Sequence, residues 1–220
     1  METLWEGTDG LPVARAASPA ERAALVRLFG RVAEEQGWRP GDALERYRAR
    51  SVYFAARAGG ELAGGLQLVP ADGSEGAPHR AVWPEVDVPG GPGEVAHVLI
   101  LALVPEHRGK AGLLWPLCVA LWRFCVREGV RTLLLEATPT TLAVYRRLGF
   151  PLHVIGGLRE HWGEDCYLCE TGVGEVADAL AQKAVCSPAY RRIVEAAHRG
   201  CAIERHPAPA PVPLAPGPAA

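Results

Sequence analysis

Two runs of this sequence fit only the interior of a sheet. "EVAHVLILALV" (94–104) closes on seven successive apolar residues, and "VRTLLLEA" (130–137) is apolar through its centre. A continuous run has no polar side to turn toward water, which suits a strand covered on both faces. Between them lies "LLWPLCVALWRFCVREG" (113–129), a helix-length segment apolar nearly all round and stopped by Gly129. Helices layered on a central sheet bury all three, so the chain reads as mixed α/β.

The rest of the sequence supplies the other layers. Ser18, Pro19 and Glu21 form a capping box with proline at the first helical position, which predicts a helix from Pro19 to about Gln36. Asp42 and Glu45 announce a shorter one. Gly59 and Gly60 join the β-prone runs "SVYFAARA" and "ELAGGLQLV" as a hairpin, with Gly64 and Gly65 marking a bulge. From Pro70 to Gly93 five prolines impose a long irregular loop, a kind of segment that often carries function. In "TPTTLAVYRRLGF", Thr138 is the cap of a short helix, Pro139 its first residue and Gly149 its stop. "PLHVIGG" and "EDCYLCE" are two further strands, and residues 173 to 199 are helical in two pieces broken near Ser187 and Pro188. Pro116 requires the central helix to start near Gly112, so that its missing N–H is one that has no acceptor anyway.

Composition excludes several classes. With 23 Lys+Arg against 25 Asp+Glu, a net charge of −2, there is no positive field to hold nucleic acid. No apolar stretch reaches the roughly 18 to 20 residues that span a bilayer, and the acidic start "METLWEGTDG" has no signal-sequence core, so the expected location is cytoplasmic. Six scattered cysteines with apolar neighbours fit reduced buried thiols. "CYLC" has CxxC spacing, but positions three apart on a strand face opposite sides and a second pair is missing, so no metal is expected. The end from His206, "HPAPAPVPLAPGPAA", is proline-rich, without periodicity, and reads as disordered.

The turn "PEHRGKAG" (105–112) carries the chemistry. Main-chain N–H groups from Arg108 to Gly112, backed by a helix N-terminus, form a concavity for an anion. Arg108 and Lys110 add cations, while Gly109 and Gly112 allow close approach. A diphosphate suits it. A P-loop reading fails because the lysine is not followed by Ser or Thr.

Buried strand, basic turn, apolar helix, a second buried strand ending "LEATPT" and then "AVYRRLGF" together resemble the coenzyme-binding half of the GNAT acyltransferase superfamily. The layout around "YFAARAGGELAGGLQLV", "EVAHVLILALVPEHRG" and "LGFPLHVIGGLREHWGEDCYLCE" is similar to its autoinducer synthase and N-acyl amino acid synthase branch. This likeness implies a GNAT fold over residues 1–172, a helical extension over 173–201 and a disordered tail over 202–220. It also implies that the strand 94–104 splays from its parallel neighbour 130–137, with the pantetheine of an acyl-coenzyme A or acetyl-coenzyme A in the gap. The pyrophosphate would then lie on Arg108, Gly109, Lys110, Ala111, Gly112 and Leu113, and the amides near Leu103 or Val104 would meet the thioester oxygen. The chain departs from the branch where Ala96 and His97 replace a Ser–Arg pair, and Leu113 stands where a small residue is usual.

The implied activity is acyl transfer to a primary amine of a small molecule or amino acid, from coenzyme A or an acyl carrier protein, with a homodimer allowed for. Direct transfer needs a base for the amine and an acid for the leaving thiolate. Glu94 or His97 is the candidate base, and strand alternation lets at most one of them serve. Tyr145 matches the family's acid. The competing reading is a non-catalytic GNAT-like ligand-binding or scaffold domain.

Overall fold

The computed structural model describes residues 2–5, 12–71, 76–108 and 111–199; the proline-rich end and the turn residues Gly109 and Lys110 lie outside these. Eight strands make one sheet: β1 (Glu2–Trp5), β2 (Val13–Arg15), β3 (Val52–Ala58), β4 (Glu61–Pro70), β5 (Val95–Leu103), β6 (Thr132–Ala137), β7 (His153–His161) and β8 (Glu164–Gly172). Their spatial order is β1-β2-β3-β4-β5-β6-β8-β7, with β5 and β6 the parallel pair in an otherwise antiparallel sheet. The helices are α1 (Pro19–Gln36), α2 (Ala43–Arg46), α3 (Ala111–Glu128), α4 (Pro139–Leu148), α5 (Val173–Cys186) and α6 (Pro188–His198).

Local chemistry sets the helix ends. Ser18 Oγ accepts the Glu21 N–H at 3.2 Å while the Glu21 carboxylate accepts the Ser18 N–H at 3.1 Å, so two unpaired donors of α1 are satisfied. Asp42 precedes α2 but makes no cap bond; its carboxylate holds Arg46 at 2.8 Å instead. α3 begins at Ala111, slightly earlier than Pro116 led us to expect, which puts the proline at the sixth position. There its ring leaves the Gly112 carbonyl without an i+4 N–H, a defect confined to the helix's first turns.

Each sheet face has its own core. On one, α3 packs Leu113, Leu117, Ala120, Leu121 and Phe124 against Phe54, Leu66, Leu68, Ala96 and Leu133. On the other, α1 sets Leu25, Leu28, Phe29 and Val32 against Tyr53, Ala55, Val69, Leu99, Ile100 and Ala102. Gly64 and Gly65 border a one-residue irregularity, since Ala56 pairs with Gly64 and Arg57 with Leu62. They also allow close packing. A Cβ on Gly65 would lie 2.7 Å from the Phe54 carbonyl oxygen and collide with Leu25. Gly65→Ala is therefore expected to destabilise the fold by about 1–3 kcal/mol, measured as a lower urea midpoint at unchanged slope.

α5 and α6 pack against α3. Arg123 in α3 holds the end of α6 by donating to the carbonyls of Ala196 and Ala197, and Trp122 Nε1 donates to Val173 O at 3.2 Å. The long loop is strapped down by Trp83, which is wholly buried and donates Nε1–H to Gly157 O at 2.7 Å. No described helix is long and apolar enough to cross a membrane.

Candidate active site

β5 and β6 are joined over only four residue pairs, Val95–Thr132 to Val98–Leu135. Both continue beyond, β5 alongside β4 to Leu103 and β6 alongside β8 to Ala137, but no longer with each other. The cause is local. Gln67 pairs with Ile100 and Leu68 with Val98, so Leu99 is an extra residue in β5. Such a bulge bends its strand and raises its twist. Leu99 and Ile100 consequently both pack toward α1, while Val98 and Leu101 pack toward α3. The sheet opens at that point.

The opening has two mouths. Toward α3 it leads into an apolar cavity of about 90 Å³ whose lining includes Leu66, Val98, Leu101, Leu135, Trp122 and Tyr145. Toward α1 it leads into a more polar one of about 170 Å³, whose lining includes Trp38, Glu136, Thr138, His161, Trp162 and Tyr145. Tyr145 and Leu135 border both. Tyr145 reaches the gap because Thr138 caps α4, accepting the Thr141 N–H at 3.1 Å, and Gly149 ends it with φ 98°. Its ring stands edge-on to Phe150 at 5.8 Å. Burial pushes the phenol up to about 12, so it keeps its proton at neutral pH.

Beside the polar mouth lies a buried histidine–carboxylate pair. His97 Nε2 lies 2.9 Å from Glu136 Oε2, with the two side chains 2% and 7% exposed. Glu136 Oε1 has no hydrogen-bond partner; nor does His161 Nε2, 4.0 Å away. Burial by itself would raise the Glu136 carboxyl, but His97 and His161 outweigh it and hold the group below the ordinary carboxylate range. Burial holds His161 below its usual value, against the pull of Glu136, so its ring is neutral at physiological pH. His79, held down by burial and by His97, stacks on the His97 ring at 6.1 Å. At the rim, Trp162 adopts φ 56° in the two-residue β7–β8 turn, a conformation normally left to glycine or asparagine. Its ring stacks on His161 at 4.9 Å, and its carbonyl accepts the Arg39 N–H.

The residues singled out from sequence fall in different places. Glu94 precedes β5 at the closed end of the β5–β6 pair. Its carboxylate accepts the Gly91 N–H at 2.9 Å and pairs with Arg131 at 3.3 Å. Four residues, about 13 Å of extended chain, separate it from Val98 where the gap opens, so it is not placed to serve as base. His97 is placed differently: it lies on the face toward Glu136, one pair before the opening. The Val104 amide is also withdrawn, because it donates to Ala63 O at 3.0 Å. Alternation along β5 then turns the Leu101 and Leu103 amides toward the gap.

At the basic turn, Arg108 is folded back. Its Nε donates to Leu103 O at 2.8 Å, its Nη2 to Glu35 Oε2 at 2.7 Å, and its N–H to Pro105 O. The Arg108 guanidinium is thus committed to β5 and α1 and is not a mobile cation. Leu113 is 1% exposed and points into the core, so its bulk does not obstruct the amides that start α3. Gly112 has open space where a Cβ would be. The N–H groups of Ala111, Gly112, Leu113 and Leu114 are the four that an α-helix leaves without internal acceptors. Cys166 and Cys169 pack into separate clusters. Sequence reading passed over Glu136 and His161 as a pair; the available signal was a lone carboxylate inside the apolar run "TLLLEA".

No family model matches the sequence, and no curated protein matches it. Solved structures do. FeeM, an N-acyl amino acid synthase from uncultured soil microbes, superposes with a TM-score of 0.64 at 19% identity over 78% of this chain and 96% of its own. The coenzyme A-dependent acyl-homoserine lactone synthase BjaI, solved with MTA, gives 0.63 at 16% identity over 86% and 89%. A GNAT-family protein from Desulfovibrio desulfuricans gives 0.51 at 15% identity over 74% and 99%. The chain therefore has the α/β fold seen in these GNAT-like acyltransferase structures.

Proposed function

We propose that this protein is an N-acyltransferase that moves an acyl group from a coenzyme A thioester to a primary amine by direct attack. The observation that carries this reading is the gap opened by the Leu99 bulge, with the Tyr145 hydroxyl-bearing ring at both mouths. Pantetheine would thread between β5 and β6, its pyrophosphate on the first amides of α3, from Ala111 on. The acyl chain would enter the apolar cavity toward α3, which is larger than an acetyl methyl requires and leaves room for a chain a few methylenes longer. The Leu101 and Leu103 amides are the donors available to the thioester oxygen.

The amine would enter from the α1 side as its ammonium, held by Glu136 Oε1, and give one proton to His161 Nε2. Its nitrogen then attacks the carbonyl carbon, a C–N bond forms, and the C–S bond breaks with its electron pair on sulfur. His161 passes that first proton to solvent and then takes the second nitrogen proton by the same route, while the Tyr145 O–H reprotonates the thiolate and recovers its own proton from solvent. Amide and free coenzyme A result, with one net proton released per ammonium consumed.

Calorimetric titration with coenzyme A and with acetyl and octanoyl thioesters tests the reading, coupled to thiol release in the presence of an amine panel. Binding of all three, tightest for octanoyl, with amine-dependent thiol release is expected. Absence of thioester binding overturns the assignment, and stabilisation by the acetyl form alone reverses the chain-length reading. The engagement of Arg108 with Glu35 favours a second reading, a coenzyme-binding domain without turnover. Binding without thiol release would select it.

A further inference from the structure

The polar mouth has a lopsided charge pattern. Its lining holds two carboxylates, Glu136 and Glu164, two indoles, Trp38 and Trp162, the neutral His161, and no lysine or arginine. Arg39, next to Trp38, is exposed and outside the lining. At the adjacent α4 N-terminus two of the first backbone positions offer no free N–H to an anion. Its first residue is proline, Thr138 Oγ1 accepts the Thr141 N–H, and the Thr138 hydroxyl donates to Thr141 Oγ1 at 2.9 Å. An α-carboxylate entering here would face two like charges and find no cation. An ammonium would find an unpartnered carboxylate oxygen of a side chain 93% buried, aimed into the cavity, with aromatic surface beside it.

We infer that the acyl acceptor is a carboxylate-free aromatic amine, an arylalkylamine bound as its ammonium on Glu136 with its ring between Trp38 and Trp162, and that free α-amino acids are rejected. This rests on the acyltransferase reading above and specifies its second substrate. It also separates this chain from an enzyme whose acceptor is an amino acid.

The test compares each amine with its α-carboxylated parent, tyramine against tyrosine and tryptamine against tryptophan, with octanoyl-coenzyme A as donor. We expect kcat/KM to favour the amine by about 10²-fold, and tyramine but not tyrosine to raise the melting temperature in the presence of coenzyme A. Glu164→Arg, a change at an exposed rim position, is expected to narrow the ratio by at least about tenfold, because it supplies the missing cation. Equal or better use of the amino acid overturns the inference while leaving the acyltransferase reading standing. Acylation of neither partner while the thioester binds and other amines still release thiol overturns the inference alone. Loss of thioester binding itself overturns both.

Discussion

Glu136→Gln should lower kcat/KM for amine acylation by about 10²–10³-fold while leaving octanoyl-coenzyme A affinity within about twofold. The substitution keeps shape and one acceptor oxygen but removes the charge that holds the ammonium and stabilises the imidazolium formed when His161 takes its proton. Unchanged thioester binding distinguishes lost chemistry from a collapsed core. The pH profile gives a second readout. His161 is held below its ordinary 6.5 by burial, so the neutral, proton-accepting ring persists as pH falls through 6.5 and the acid limb of kcat/KM lies below that value. Stability carries the same sign. A histidine depressed in the folded state binds fewer protons there than when unfolded, so His161 and His79 both withdraw stability as pH falls below about 6.5. An acid limb at or above 6.5 would remove His161 from the role.

Tyr145→Phe is expected to reduce kcat by about 10²-fold with a coenzyme A thioester, near the lower end for an acid catalyst because a thiol of ordinary pKa, about 8.5, already leaves readily. The effect should shrink toward unity with an aryl thioester, whose thiolate needs no proton to depart. A role confined to packing would give the same loss with both leaving groups. The ring loses only its hydroxyl, so its edge contact with Phe150 is kept and stability should change by under about 1 kcal/mol. Equal losses for the two donors would assign Tyr145 to the wall of the gap rather than to proton transfer.

Much of the architecture was legible because its signals are local. The Ser18–Glu21 box, the Gly59–Gly60 turn and the Thr138–Pro139 start each involve groups within four residues of one another, and each appears where those residues require it. The site was less legible. On paper Glu94 stands out as the candidate base and Glu136, inside "TLLLEA", does not. Strand pairing separates them: the first lies at the zipped end against Arg131, the second beside the opening against His97. Arg108 read as a loose cation, and only the approach of Glu35 from α1, 73 positions away in sequence, commits it.

The sequence alone determined most of the strands and helices after Ser18, though not β1 and β2 before it, and that a basic glycine turn separates a buried strand from a buried helix, because caps, periodicity and proline act over a few bonds. Only the tertiary structure decided which side chains share the gap. Side chains alternate across a strand with a period of two, so the one extra residue at Leu99 changes the facing of everything after it, and that register is set by pairing with β4, not by the residues of β5 themselves.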